Sequence, residues 1–175
     1  ERLLKGETVT PNDPQIHRLK ESSYATKQLL VKMNNSSDPS EIRSILSKIT
    51  GRSIHESTSV FTPSYINYGK NIKIGKNVFI NFNCTLLDLG GIIIEDNVWI
   101  GQNVTILANV KIGKNSIVGA NSVVTKSIPD FSNDLHYEVE IVLKINKMGK
   151  NIIASPIICF RTSLRLICTS PRYLA

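Results

Sequence analysis

Residues 94–126 read IEDNVWIGQNVTILANVKIGKNSIVGANSVVTK, and the spacing of their aliphatic side chains decides the fold. Ile94, Ile100, Ile106, Ile112, Val118 and Val124 recur every six residues. Asparagine stands three positions after the first five of these, at Asn97, Asn103, Asn109, Asn115 and Asn121, each followed by a small or apolar residue. Glycine comes directly after the aliphatic at Gly101, Gly113 and Gly119. A period of six is even, so the inward and outward alternation of an extended chain is kept from repeat to repeat. Asparagine and glycine tolerate left-handed backbone angles, which suits both to a corner between short strands. Each hexad therefore predicts one strand and one corner, and three hexads close a triangular coil of 18 residues. Stacking aligns Ile94 with Ile112, Ile100 with Val118 and Ile106 with Val124. Burying one such side chain contributes about 1.5–3 kcal/mol, and a coil becomes stable only when its neighbours cover it.

The same rule runs upstream through Leu86, Ile80 and Ile74 to Tyr68, after a slip of two residues between Leu86 and Ile94. Asn83, Asn77 and Asn71 occupy the corner positions there, with Gly75 and Gly69 after the large residues. Before Tyr68 the periodicity becomes helical. Ile16, Leu19, Leu29, Leu30 and Met33 follow an Asp13-Pro14 start signal, predicting a helix over about 13–33. A second helix begins at Asp38 as N-cap, with Pro39 at N1, Glu41 at the capping-box position and an Ile42, Ile45, Leu46, Ile49 stripe. The chain thus divides into a helical segment over 1–60, a hexad-repeat β-helix over 61–130 and an atypical tail over 131–175.

Composition narrows the function classes. With 175 residues, 41% of them hydrophobic, the chain suits one domain with a core, or one domain with a small appendage. The formal charge of +7 is spread along the sequence: nine basic and seven acidic residues in 1–60, six and four in 61–130, six and three in 131–175. No run of like charges marks a nucleic-acid arm, and the excess reads as solvated surface. Cys84, Cys159 and Cys168 form no CxxC pair and are odd in number, which argues against a zinc site and a disulfide framework and favours a reducing cytoplasm. No apolar run reaches the roughly 18 residues of a membrane span, and no secretory leader opens the sequence.

Particular stretches resemble a known family. Asn67-Tyr68-Gly69, Ile74-Gly75-Lys76-Asn77 and Asn81-Phe82-Asn83-Cys84 are similar to the first coils of the maltose, galactoside and nodulation-factor O-acetyltransferases. Asn97-Val98-Trp99-Ile100-Gly101 through Ile112-Gly113 to Gly119-Ala120-Asn121-Ser122-Val123-Val124-Thr125-Lys126 resembles their last coils, and Gly6-Glu7 with Asn12-Asp13-Pro14 resembles their helical leader. The resemblance covers about residues 1–130. It implies an all-β left-handed parallel β-helix behind an N-terminal α-helical segment, assembled as a homotrimer. It also implies transfer of acetyl from acetyl-CoA to a small sugar hydroxyl, with no metal. Trp99, Gly101, Ala120, Thr125 and Lys126 match positions that contact CoA. Asn81 and Asp88 match or lie near acceptor contacts, while the leader aspartate of the family is Thr10 here.

The family takes its general base from a histidine in a loop carrying a His-Pro pair, inserted with a further coil before the tryptophan. Attack of a hydroxyl on a thioester needs such a base, and fixed donors then stabilise the tetrahedral oxyanion. Here Gly90-Gly91-Ile92-Ile93-Ile94-Glu95-Asp96-Asn97-Val98 runs directly into Trp99. His17, His55 and His136 fall elsewhere, so no catalytic histidine is intact and impaired transfer is expected. The family's closing Gly-x-Pro turn and basic CoA contact are also missing after Ile128-Pro129-Asp130. Instead, Asn133 to Lys147 resembles a strand of the fumarylacetoacetate hydrolases, whose Glu-x-Glu pair binds Mg²⁺. Glu138 and Glu140 match that pair, and a solvated strand face is the preferred reading of them. The alternative to the enzyme is a non-catalytic trimeric β-helix that serves in assembly.

Overall fold

The computed structural model describes residues 2–132 apart from Thr8 and Pro11. His136, Glu138, Glu140 and the expected tail lie outside the described residues.

Helix α1 spans Ile16–Asn34 and α2 spans Pro39–Thr50. The first begins later than its sequence signal, because Asp13 turns its carboxylate to the Gln15 amide and to Arg2 rather than capping a helix at Pro14. The second starts as read. Asp38 accepts from the Ser40 amide at 2.9 Å, and Ile42, Ile45, Leu46 and Ile49 are all buried. Glu41 does not close a capping box directly. It accepts from the Ser36 hydroxyl, which in turn accepts from the Asp38 amide, so a serine relays the contact. Gly51 ends α2 at a left-handed φ of 70°, its amide donating to the Ser47 carbonyl.

Eleven short strands follow: β1 Ser59–Val60, β2 Ser64–Ile66, β3 Ile72–Ile74, β4 Phe79–Ile80, β5 Cys84–Leu86, β6 Ile92–Ile94, β7 Trp99–Ile100, β8 Thr105–Ile106, β9 Val110–Ile112, β10 Ile117–Val118 and β11 Val123–Val124. They pair only in parallel, each with the strand one coil away. Three sheets result: β1-β4-β7-β10, β2-β5-β8-β11 and β3-β6-β9, the walls of a triangular prism. The alignments expected from the period are observed, Ile94 with Ile112, Ile100 with Val118 and Ile106 with Val124. Inward columns such as Ile80–Ile100–Val118 fill the prism, and Leu30, Met33 and the α2 stripe join the same core. Helix α2 packs on β1 and α1 on β2, closing the end of the first coil. The helix-to-coil contact is also polar: Asn34 donates to the Ser64 carbonyl and accepts from its amide, each at 3.0 Å.

Seven corner asparagines, Asn77, Asn83, Asn97, Asn103, Asn109, Asn115 and Asn121, take left-handed φ between 52° and 64°. Several also bond up the stack. Asn77 donates to Asn97, Asn97 to Asn115, and Asn103 to Asn121, each at 3.0 Å. Two sequence assignments require correction. Tyr68 and Asn71 do not continue the hexad columns, because the first coil has a two-residue excess of its own. Ile66, not Tyr68, aligns with Leu86, and Gly69 rather than Asn71 takes the left-handed angle, at 89°. The glycines after the aliphatics also serve another purpose than turning. A Cβ on Gly75 would stand 2.4 Å from Asp96, one on Gly101 2.6 Å from the Ala120 amide nitrogen, and one on Gly113 2.4 Å from the Asp130 amide nitrogen. They are glycines so that successive coils can touch.

Candidate functional site

The outward side chains differ from wall to wall. On the first sheet Phe79, Trp99 and Ile117 are register partners and form one column. Phe79 and Trp99 lie 4.6 Å apart between ring centroids, and Phe61 bridges Phe79 and Phe82 at 5.0 and 4.9 Å. Trp99 is 52% exposed, although such rings normally gain by burial. On the second sheet the outward column is Tyr65, Thr85, Thr105 and Val123. Phe61, Tyr65, Phe82, Trp99, Ile117 and Val123 are all exposed, so two walls and their shared corner carry an apolar surface.

The expected CoA and acceptor residues divide into groups. Asn81 follows β4 and donates its amide to the Ile100 carbonyl, which sets it one coil from Gly101. Gly101 in turn donates to Val118, next to Gly119 and Ala120. Asn81, Trp99, Gly101 and Ala120 therefore gather at the corner between the first and second sheets. Thr125 and Lys126 are exposed at the far end of β11, across the second wall. Ala120 and Thr125 are five positions apart, at most about 17 Å of extended chain. Asn81 is half-buried and its side-chain oxygen accepts from the Phe82 amide. Gly101 is buried, and its close approach to Ala120 accounts for it without a ligand.

Asp88 sits inside the fold rather than on its surface. It is 0% exposed, and its carboxylate accepts from the amides of Tyr68 and Gly69 at 2.8 Å and of Asn71 at 3.3 Å. A buried carboxylate must be compensated, and here it holds the irregular corner of the first coil from the coil above. Asp88→Ala leaves three amides without their acceptor and is expected to cost about 2–4 kcal/mol. Urea unfolding of the whole chain measures this, and Asp88→Asn, which retains one acceptor oxygen, should lose less.

Sequence reading missed the aromatic neighbours of Trp99. The signal was present, since Phe79 precedes Trp99 by 20 residues, one coil plus the slip. His17 is exposed on α1. His55 is exposed ahead of β1, with Nδ1 2.8 Å from the Ser57 hydroxyl. Cys84 is a buried free thiol whose pKa burial pushes up, so it stays protonated. Among the described residues no cluster of three His, Cys, Asp or Glu side chains is placed to hold a metal. Nor is any described helix long and apolar enough to cross a membrane. A separate cavity of about 490 Å³ opens between α1 and the second sheet, lined by Leu19, Lys20, Tyr24, Lys27, Tyr65 and Asn67 among others.

Residues 91–126 match the bacterial transferase hexapeptide (six repeats), and residues 71–108 match the hexapeptide repeat of succinyl-transferase. Galactoside O-acetyltransferase of Escherichia coli K12 is 36% identical over 102 residues, covering 57% of this chain and 48% of that protein. The chain thus spans about half the length of this relative. A hexapeptide-repeat acetyltransferase of Vibrio cholerae O1 biovar eltor, solved with acetyl coenzyme A, superposes with a TM-score of 0.57 at 29% identity, over 74% of this chain and 88% of that one. A maltose O-acetyltransferase of Clostridium difficile 630 gives 0.57 at 27% identity, over 74% and 87%. The prism is therefore a left-handed parallel β-helix whose repeats match the bacterial transferase hexapeptide, and over the matched residues the chain is similar to galactoside and maltose O-acetyltransferases.

Proposed function

We propose that the chain is an acetyl-CoA-dependent O-acetyltransferase acting on a sugar hydroxyl, that it works as a homotrimer in the cytoplasm, and that its chemistry is slowed. The carrying observation is Trp99, half exposed on an apolar column beside Asn81, Gly101 and Ala120. An exposed indole face suits the thin, partly apolar arm of a coenzyme. In the reaction the sugar oxygen attacks the thioester carbonyl, its proton passes to a base, and the tetrahedral oxyanion collapses to expel the CoA thiolate. In this reading Asn81 orients the hydroxyl. The base is the weak part. Asp96, Asn97 and Val98 turn β6 directly into β7, with no inserted loop between them.

Exposed apolar side chains on two walls and a lysine-bearing column on the third favour an assembly that covers the first two. A closed ring of three copies does this without leaving an open end. Setting Ile117→Lys and Val123→Lys into these columns should convert the trimer to monomers in sedimentation. A wild-type chain that sediments as a monomer throughout the micromolar range removes the assembly from the proposal. Trp99 is the single tryptophan, so its emission reports acetyl-CoA directly. Quenching that saturates with acetyl-CoA, together with thiol release in the presence of a sugar panel, supports the enzyme. Saturable quenching with no turnover on any sugar favours the second reading, a trimeric β-helix without catalysis, which the uninterrupted passage into Trp99 already recommends.

A further inference from the structure

The third sheet carries a different chemistry. Its outward column runs Lys73, Ile93, Lys111 in direct register along β3, β6 and β9. Neighbouring strands stand about 4.8 Å apart, so the two lysines rise from backbone positions about 10 Å apart on either side of Ile93. Lys70 lies just ahead of β3 and Arg52 just after α2. These four cations line one cavity of about 300 Å³, which Ile93, Val110, Gly90 and Gly91 also line, with Leu4 at its side. Among the described residues, no carboxylate lines it.

The internal pairing leaves most of this charge unanswered. Glu95 reaches Lys111 at 3.1 Å from outside the cavity. Lys70 donates to the Lys48 carbonyl at 2.7 Å, at the C-terminal end of α2, and an ammonium has two further hydrogens to give. Among the described residues, Arg52 and Lys73 make no side-chain hydrogen bond or ion pair. Four like charges around a concave, partly apolar floor repel one another and concentrate the field between them, and a bound anion relieves that repulsion. Segment charges along the sequence concealed this, because the cations come from α2's end and from the first and third coils.

We propose that this groove binds a small oxyanion ester, a phosphate or sulfate monoester. Arg52, Lys70, Lys73 and Lys111 hold its oxygens, and its carbon skeleton lies over Ile93 and Leu4. Arg52 supplies the planar fork suited to two oxygens of one group, and the lysines supply point charge. The groove is on the third wall and the Trp99 column on the first, so the site does not depend on acetyl transfer.

The test titrates the whole chain with phenyl phosphate, phenyl sulfate and inorganic phosphate, reading calorimetry and the amide resonances of Gly90, Gly91 and Ile93. Saturable binding of an ester that moves these amides is expected. The double variant Arg52→Gln, Lys73→Gln should weaken it about tenfold or more, and raising the salt should weaken it as well. A matched control, Lys76→Gln with Lys114→Gln, removes equal charge from exposed corners and should leave binding within about twofold. Tighter binding of the phenyl esters than of inorganic phosphate assigns an ester with an apolar part, and equal binding assigns the free oxyanion. Binding that never saturates, an equal loss in the control pair, or shifts confined to Trp99, Thr125 and Lys126 overturns the site. The amide spectrum of each variant, unchanged away from the groove, shows that it folds.

Discussion

Supplied with acetyl-CoA and a panel of sugars, this chain is expected to turn over about 10² to 10⁴ times more slowly than a full-length galactoside O-acetyltransferase, the share of rate that general-base catalysis commonly supplies. Without a base the attacking hydroxyl must lose its proton to water, while contacts that only hold the substrates remain. The loss should therefore fall on kcat far more than on the saturation of Trp99 quenching by acetyl-CoA. Grafting a coil and His-Pro loop of the family between Val98 and Trp99 should restore measurable transfer, since the join lies in hexad register and the core columns run through it. Wild-type turnover equal to that of the full-length relative would show that the base is elsewhere in the chain. His136 is then the first residue to replace.

Gly101→Val is expected to destabilise the fold by about 3 kcal/mol or more, the range in which overpacking against fixed backbone falls. The added Cβ would stand 2.6 Å from the Ala120 amide nitrogen and 2.9 Å from its Cα, both backbone atoms that no rotamer change can move. Relief requires the third and fourth coils to part, and the bonds from Gly101 to Val118 and from Trp99 to Ser116 lie at that seam. Gly119→Ala is the matched comparison. Its Cβ would meet only the Ser122 hydroxyl at 3.7 Å, so the substitution should be tolerated within about 1 kcal/mol. Thermal melts of the two variants side by side separate crowding from any general intolerance of glycine replacement.

How much of this was legible follows from the physics of the repeat. A period of six writes the strands, corners and stacking partners into the sequence, so the alignment of Ile94 with Ile112 follows from the spacing alone. The same period fails where a coil carries extra residues. Tyr68 is large and correctly spaced from Ile74, yet the chain bulges there, and nothing local distinguishes a bulge from a repeat. Asp88 is instructive for the opposite reason. An acidic residue near a substrate position reads as a contact, whereas the irregular corner it stabilises exists only once the coils are stacked. Trp99 was legible as a motif, and its aromatic companions were not, because Phe79 reaches it through register and Phe61 only by way of Phe79, not through sequence proximity. The cationic groove was hidden for that reason too.

Stacking by whole coils also makes the length of the molecule change in fixed steps. The asparagine corners repeat with nearly the same angle, and several with the same side-chain bond, from one level to the next, so a level can be removed and the cut faces still fit. Each removal draws everything above it toward the helices by one strand spacing, about 4.8 Å, and slides wall over wall without turning the prism. Groups at different heights then meet at new distances while every core column stays filled. A protein built this way can lose reach across its surface without losing stability, and unfolding experiments alone would never reveal that it had.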